Sequence, residues 1–315
     1  MGAVASLQVR QMKNVDWMGV RSASENAVRA QIENMFRHNL GPGSLPKYEG
    51  EKKPSIVGLI SPHAGYIYSG PIAAQGYYQL GLERQKAQLV IVTGPNHRMG
   101  APIALSPDDA WETPLGSVPI AVDVVKRIEE TRKSLEKPLR SYIQIDHDAH
   151  AYEHSIELQL PFLQAILDEF SFLPIGIEGS GEGWPGSIPD DQIDKFADIT
   201  LKAATDAGFD DIVVIASTDF THGNMIPQLD HDTVTKMDKH AVSEILKFGQ
   251  APVKLREVII RENLSICGYL SVRFILDISA KLGANKAECL KYATSGDTSG
   301  NRRGVVGYGS FCLKR

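Results

Sequence analysis

The chain has 315 residues, 43% of them hydrophobic and 23% charged, with a formal net charge of -5. These proportions supply a sizeable apolar core, and the mild acidic balance excludes the basic footprint of a nucleic-acid binder and a polybasic membrane patch. No apolar run approaches the roughly 18 residues of a bilayer span and no secretory segment opens the chain, while the cysteines (Cys267, Cys289, Cys312) are too few to organise the fold, which implies a reducing, cytoplasmic setting.

Gly2 followed by Ser6 fits the short myristoylation pattern. Residues 24–38 put Ala27, Ile32, Met35 and Phe36 at helical spacing behind Ser24 as N-cap, and Gly41-Pro42-Gly43 ends that helix in a polar loop to Lys53. The apolar run 55–61 predicts a buried strand that ends in Ser61-Pro62-His63-Ala64-Gly65, a sharp turn with His63 at its tip. A helix from Pro71 to Leu80 and a strand over 88–93 complete a β-α-β unit, which implies parallel neighbours with a right-handed crossover. The second strand also delivers a histidine, His97, after Gly94-Pro95-Asn96.

Further along, 101–106 reads as a strand, Trp111 to Gly116 as a turn, and 121–132 as a helix. Asp146 to His154 is the densest polar cluster, and it feeds a predicted helix over 154–168 with an apolar stripe of Ile156, Leu160, Phe162, Leu163 and Ile166. A strand over 171–177, a Gly/Pro/Ser-rich surface loop over 178–189 and a helix over 190–206 follow. The β-branched run 211–216 then ends in Ser217-Thr218-Asp219-Phe220-Thr221-His222. Helices over 231–248 and 251–262, a helix from Cys267-Gly268 to Leu282, and strands over 287–294 and 304–313 close the chain.

Three buried strands that end in polar tips converge on one cleft if they are neighbours in a parallel sheet. His63, His97 and the Asp219/His222 pair would then stand together; two imidazoles and a carboxylate suit non-haem Fe(II), and three closed ligands plus water suit zinc. Each histidine taken alone reads first as a loop-capping or packing residue, and it is the repeated context of the set that brings the metal reading level with it. Cys267 precedes a helix, where backbone N–H groups favour a thiolate that could bind metal or undergo redox chemistry; buried packing is the alternative. His150-Ala151-Tyr152-Glu153-His154 is a literal H-x-x-E-H, which on a helix would make a zinc peptidase with Glu153 as base. The other reading makes Glu153 a helix-start residue and His154 a group beside the site or facing substrate. Nucleophile elbow, P-loop and dinucleotide fingerprints are missing.

Ser61-Pro62-His63-Ala64-Gly65-Tyr66 with Ser69-Gly70, Gly94-Pro95-Asn96-His97, Glu153-His154-Ser155-Ile156-Glu157 with Leu160-Pro161, Ser217 to His222, and Ile266-Cys267-Gly268 resemble, in this order, the motifs of the Memo family. The resemblance spans roughly residues 55–313, and before it only Asp16-Trp17-Met18-Gly19 stands near the family's opening segment, so the role of residues 1–45 is open. It implies one domain over 1–315, an α/β/α sandwich around a mixed, largely parallel sheet like that of class III extradiol dioxygenases. It further implies His63 and His97 as metal ligands, Cys267 at the third position where the dioxygenases carry a glutamate, and Asp219 and His222 as the polar pair, with His222 the acid/base. His154 joins these as a catalytic candidate. The expected metal is Fe(II), then copper, then zinc. The expected chemistry is redox or dioxygenase-like on a small molecule. The family's adaptor role implies, as an alternative, a cleft that holds a peptide or phosphorylated ligand.

Overall fold

The computed structural model describes residues 7–19, 24–48, 50, 53–98, 100–225 and 228–315; Gly2 and Ser6 of the acylation pattern lie outside them. Strand β1 (Val9–Gln11) and a 3-10 turn over Val15–Met18 come first. Helix α1 (Glu25–Arg37) starts where Ser24 accepts the Ala27 N–H at 3.4 Å, and it buries Val28, Ile32, Met35 and Phe36 as the spacing predicts. Strand β2 (Ile56–Ser61) is buried at every position. Helix α2 (Tyr66–Glu83) begins five residues before the predicted start, where Ser69 Oγ donates to the Ala64 carbonyl at 2.8 Å and the Tyr66 hydroxyl makes a tertiary bond to that of Leu158 at 2.6 Å. Pro71 therefore lies inside the helix. Strand β3 (Lys86–Asn96) runs on through Pro95, which lies past Thr93, the last residue paired to the neighbouring strand on that side.

Strand β4 (Ile103–Leu105) is as predicted, but Trp111 to Gly116 is a hairpin rather than a turn, with β5 (Ala110–Thr113) and β6 (Gly116–Pro119). β1 pairs with β5 in parallel, an interaction 101 residues apart that no local pattern announces. Then come α3 (Val122–Ser134), α4 (Leu139–Tyr142), β7 (Ile143–Ile145) and α5 (His147–Ala151). The helix predicted over 154–168 is shorter. Residues 153–156 are held out of helix by side-chain bonds, a 3-10 turn occupies Glu157–Gln159, and α6 is Leu160–Ile166. The rest follow prediction closely: β8 (Glu169–Glu178), α7 (Asp190–Asp206), β9 (Ile212–Ser217), α8 (His231–Ile245), α9 (Leu255–Glu262), α10 (Tyr269–Lys281) and β10 (Lys286–Thr294), then, after a short unpredicted helix, α11 (Ser295–Ser299), β11 (Gly307–Lys314).

The main sheet has the order β10-β11-β2-β9-β3-β8-β4-β7, beside a three-stranded sheet β1-β5-β6. Its centre, β2-β9-β3-β8, is parallel; β11 pairs antiparallel with both β2 and β10, and β4 antiparallel with β8. The sheet is thus mixed, and parallel character is confined to the centre and the β4–β7 edge pair. Successive strand residues face opposite sides of a sheet. At Gly58 a side chain would meet Ser279 of α10, whereas Leu59 lies against Gly76 of α2, so these two helices cover opposite faces. The result is a single α/β domain with helices on both faces of a mixed sheet. Among the described residues no helix is long and apolar enough to cross a membrane.

Candidate metal centre

Strands β2, β9 and β3 are adjacent and parallel, with Ser61 level with Ser217 and Thr93 level with Ala216. Their carboxyl ends therefore deliver His63, Asp219/His222 and His97 to one edge, as the repeated strand-then-histidine pattern implies. A fourth group arrives from the irregular stretch before α6. The donor atoms of His63, His97 and His154 all lie within 4.8 Å of one another, a set able to hold a metal ion. Their rings stand 5.3 Å (His63–His97), 5.4 Å (His63–His154) and 4.8 Å (His97–His154) apart. They line a cleft of about 760 Å³ together with Trp17, Tyr68, Asp219, His222 and Tyr308.

Hydrogen bonds orient each ring. Ser217 Oγ has one proton, and with the Ser155 carbonyl 2.6 Å away that proton is committed; the hydroxyl must then accept from His63 Nδ1 at 2.9 Å and from Gln159 Nε2 at 2.9 Å. His63 Nε2 is left with its lone pair toward the cleft. The Glu153 carboxylate does the same for His97, and it faces the His154 ring as a neighbouring charge. Its Oε1 lies 3.0 Å from His97 Nδ1 and 3.2 Å from His154 Nδ1, and the carboxylate also accepts the backbone N–H groups of His97, His154 and Ser155 at 2.6, 2.9 and 2.9 Å. Burial alone would raise the Glu153 pKa; the bond and charge of His97, the charge of His154 and the Ser155 N–H together hold it well below the usual carboxylate range. Carboxylates behind ligating histidines set the tautomer and the aim of the free nitrogen. Here one carboxylate bonds the His97 ring and lies beside the His154 ring.

Burial, followed by the charge of His97, pushes His63 well below the usual imidazole range. Burial and the charge of His63 lower His154 to about 3. His97 is 32% exposed at its side chain; burial opposes its charge, but the Cys267 sulfur and Glu153 outweigh it and raise its pKa to about 10. Two of the rings are accordingly neutral donors, and the third would have to give up its proton to hold a metal.

The other sequence candidates surround this set. Cys267 Sγ lies 3.4 Å from His63 Nε2 and accepts the Asp219 N–H at 3.3 Å. It reaches this position because a side chain at Gly268, which precedes α10, would meet the Ser217 carbonyl and Thr218 at 2.7 Å; only glycine lets that helix start against the end of β9. Asp219 Oδ1 accepts the His63 and Ala64 N–H groups at 2.9 and 3.3 Å, and Oδ2 lies 4.0 Å from His63 Nε2. Burial raises the Asp219 pKa against the pull of His222. The Ser265 carbonyl, 2.9 Å from His222 Nδ1, can only accept, so Nδ1 carries a proton and Nε2 is the nitrogen left at the cleft wall. The cysteines are free among the described residues.

His150 is a correction. α5 ends at Ala151 before the motif is complete, so His150 and His154 do not share a helix face. His150 Nε2 bonds the Ala104 carbonyl at 3.2 Å and its ring meets Trp111 edge-on at 5.5 Å, with no place in the three-histidine set. The peptidase arrangement is therefore not formed. The sequence reading missed Trp17, whose ring lies 4.0 Å from that of His154, and Glu153 as a shared anchor; for Glu153 the signal was its place between two motif residues.

The family model described as "Memo-like protein" matches residues 21–312. A MEMO1 family protein of Saccharolobus solfataricus is 40% identical over 286 residues, 89% of this chain and 91% of the relative. One from Ignicoccus hospitalis is 37% identical over 279 residues, 88% of this chain and 89% of the relative. The solved structure of an uncharacterized protein from Escherichia coli K12 is similar in fold, with a TM-score of 0.50 and 14% identity over 82% of this chain and 99% of that one. With its motifs assembled at one sheet edge and these relatives spanning nearly its whole length, the chain belongs to the Memo family.

Proposed function

We propose that this protein is a cytoplasmic metalloprotein with one mononuclear centre on His63, His97 and His154, and that it carries out redox, oxygen-dependent chemistry on a small molecule in the adjoining cleft. The observation that carries the reading is the convergence of these donors within 4.8 Å, with Nδ1 of His63 and of His97 hydrogen-bonded elsewhere and that of His154 facing the Glu153 carboxylate. Imidazoles suit iron, copper and zinc, and a nearby sulfur favours the softer or redox-active choices, so Fe(II) ranks first, copper second and zinc third. A bound ion would supply Lewis acidity and, for iron or copper, electron transfer. Cys267 and Asp219 stand where either could serve as a further ligand or as a partner to His63. His222, with Nδ1–H donated to Ser265, is the group we assign to take or return a substrate proton.

Metal analysis after anaerobic purification tests this. Close to one equivalent of metal per chain is expected, with His63→Ala abolishing it. No stoichiometric metal, together with unchanged affinity for added iron in His63→Ala, overturns the reading. A second reading, a peptide-binding or phosphopeptide-binding cleft, is favoured by the exposed rim of Trp17, Ile67 and Tyr68. It predicts ligand binding that survives metal stripping, and loss of binding to a chelator would count against it.

A further inference from the structure

The segment before α1 is tied to the metal centre by a buried ion pair that the chemistry above does not use. Arg10 and Glu157 lie 2.7 Å apart with side chains only 2% and 0% exposed. Arg10 also donates to the carbonyls of His150 (2.9 Å) and Glu153 (3.3 Å) and stacks 4.0 Å over the Trp111 ring. Glu157 accepts further bonds from the Lys13 N–H (3.2 Å), the Asn14 N–H (2.7 Å) and Asn14 Nδ2 (2.6 Å). From Asn14 the path continues: its carbonyl accepts the Trp17 N–H at 3.1 Å, and the Trp17 ring rests 4.0 Å from His154. On the other side the strap presses on the turn that carries His63. A side chain at Gly65 would come within 3.3 Å of the Trp17 carbonyl.

From this we infer that Glu157 and Arg10 are positioning residues: they latch residues 10–19 down so that Trp17 braces the His154 imidazole and closes one side of the centre. The inference rests on reading the three-histidine set as a metal centre. Glu157 suits the task because a buried carboxylate with four donors cannot leave without stranding the buried Arg10 charge with no counter-ion. Trp17 suits it because a braced ring holds its nitrogen on target, and the indole shields that nitrogen from water and from competing ligands.

The test uses the full chain carrying Trp184→Phe, which removes an exposed indole. Trp111 is buried, so acrylamide-quenchable emission then reports Trp17. Asn14→Ala and Glu157→Gln should raise that quenching toward the value of a free indole. With Co(II) as probe, both variants and Trp17→Ala should release the ion to excess EDTA at least about tenfold faster, the scale for losing a ligand's orienting partner. A purely structural role would lower thermal stability without selectively changing either readout. Asn14→Ala leaves no buried charge and carries the test if Glu157→Gln fails to fold. Wild-type quenching in folded Asn14→Ala, or a wild-type Co(II) release rate in Trp17→Ala, overturns the inference. Failure of the wild type to bind Co(II) would instead strike the metal reading, and the quenching measurement would still decide the latch.

Discussion

His150 and His154 lie four residues apart in one polar cluster, and they end in opposite roles. Both are buried, and both titrate far below an ordinary imidazole: His150 at about 4 through burial and then Arg10, His154 at about 3 through burial and then His63. Neither depth nor pKa separates them. The bonded nitrogen does. His150 spends Nε2 on the Ala104 carbonyl, and its Nδ1 has no partner among the described residues. His154 turns Nδ1 to Glu153 and keeps Nε2 for the cleft. A perturbed histidine becomes a candidate ligand when its free lone pair points at other free lone pairs.

The comparison can be broken at either member. His154→Ala should cost about a thousandfold in metal affinity, roughly 4 kcal/mol, while His150→Ala should leave affinity within about threefold, both read by competition with a chromophoric chelator. Equal losses would mean that the two histidines share a metal after all. The next effect is one of stability. His150 has its folded pKa depressed from 6.5 to about 4, so its contribution is fully present above about pH 6.5 and is lost as pH falls through 4, up to about 3 kcal/mol. Urea titrations of His150→Gln against wild type between pH 7 and 4 should therefore show the variant gaining ground as pH drops, and a constant gap would contradict the burial account. The smallest effect probes the shared anchor. Glu153→Gln should weaken metal binding about 10- to 100-fold, because the amide removes the charge that faces both rings and sets an NH2 donor against either the His97 N–H or the His97 Nδ1–H. Binding as tight as wild type would show that the rings are aimed by packing alone.

Much of the centre was legible because it sits at strand ends. An apolar run that stops at Pro62 or Pro95 and then meets a histidine announces both the strand and its polar tip, and β2, β9 and β3 prove to be neighbours. The same logic failed for 154–156, where amphipathic spacing implied helix but the Glu153 carboxylate and Ser155 Oγ capture backbone groups instead. It failed as well for β1, since three residues carry too little pattern to reveal a partner about a hundred positions away.

The turn at Ser61-Pro62-His63, the matching one at Gly94-Pro95-Asn96-His97 and the family motifs are local statements, and the sequence by itself determined them: strand, tip, residue type and kinship. Tertiary structure alone decided which nitrogens meet. A strand ending fixes where a histidine stands, but the direction of its lone pair depends on an acceptor supplied by another part of the chain, Ser217 for His63 and Glu153 for His97. That dependence is why His154 enters the set, His150 leaves it, and an indole from the strap before α1 stands beside them.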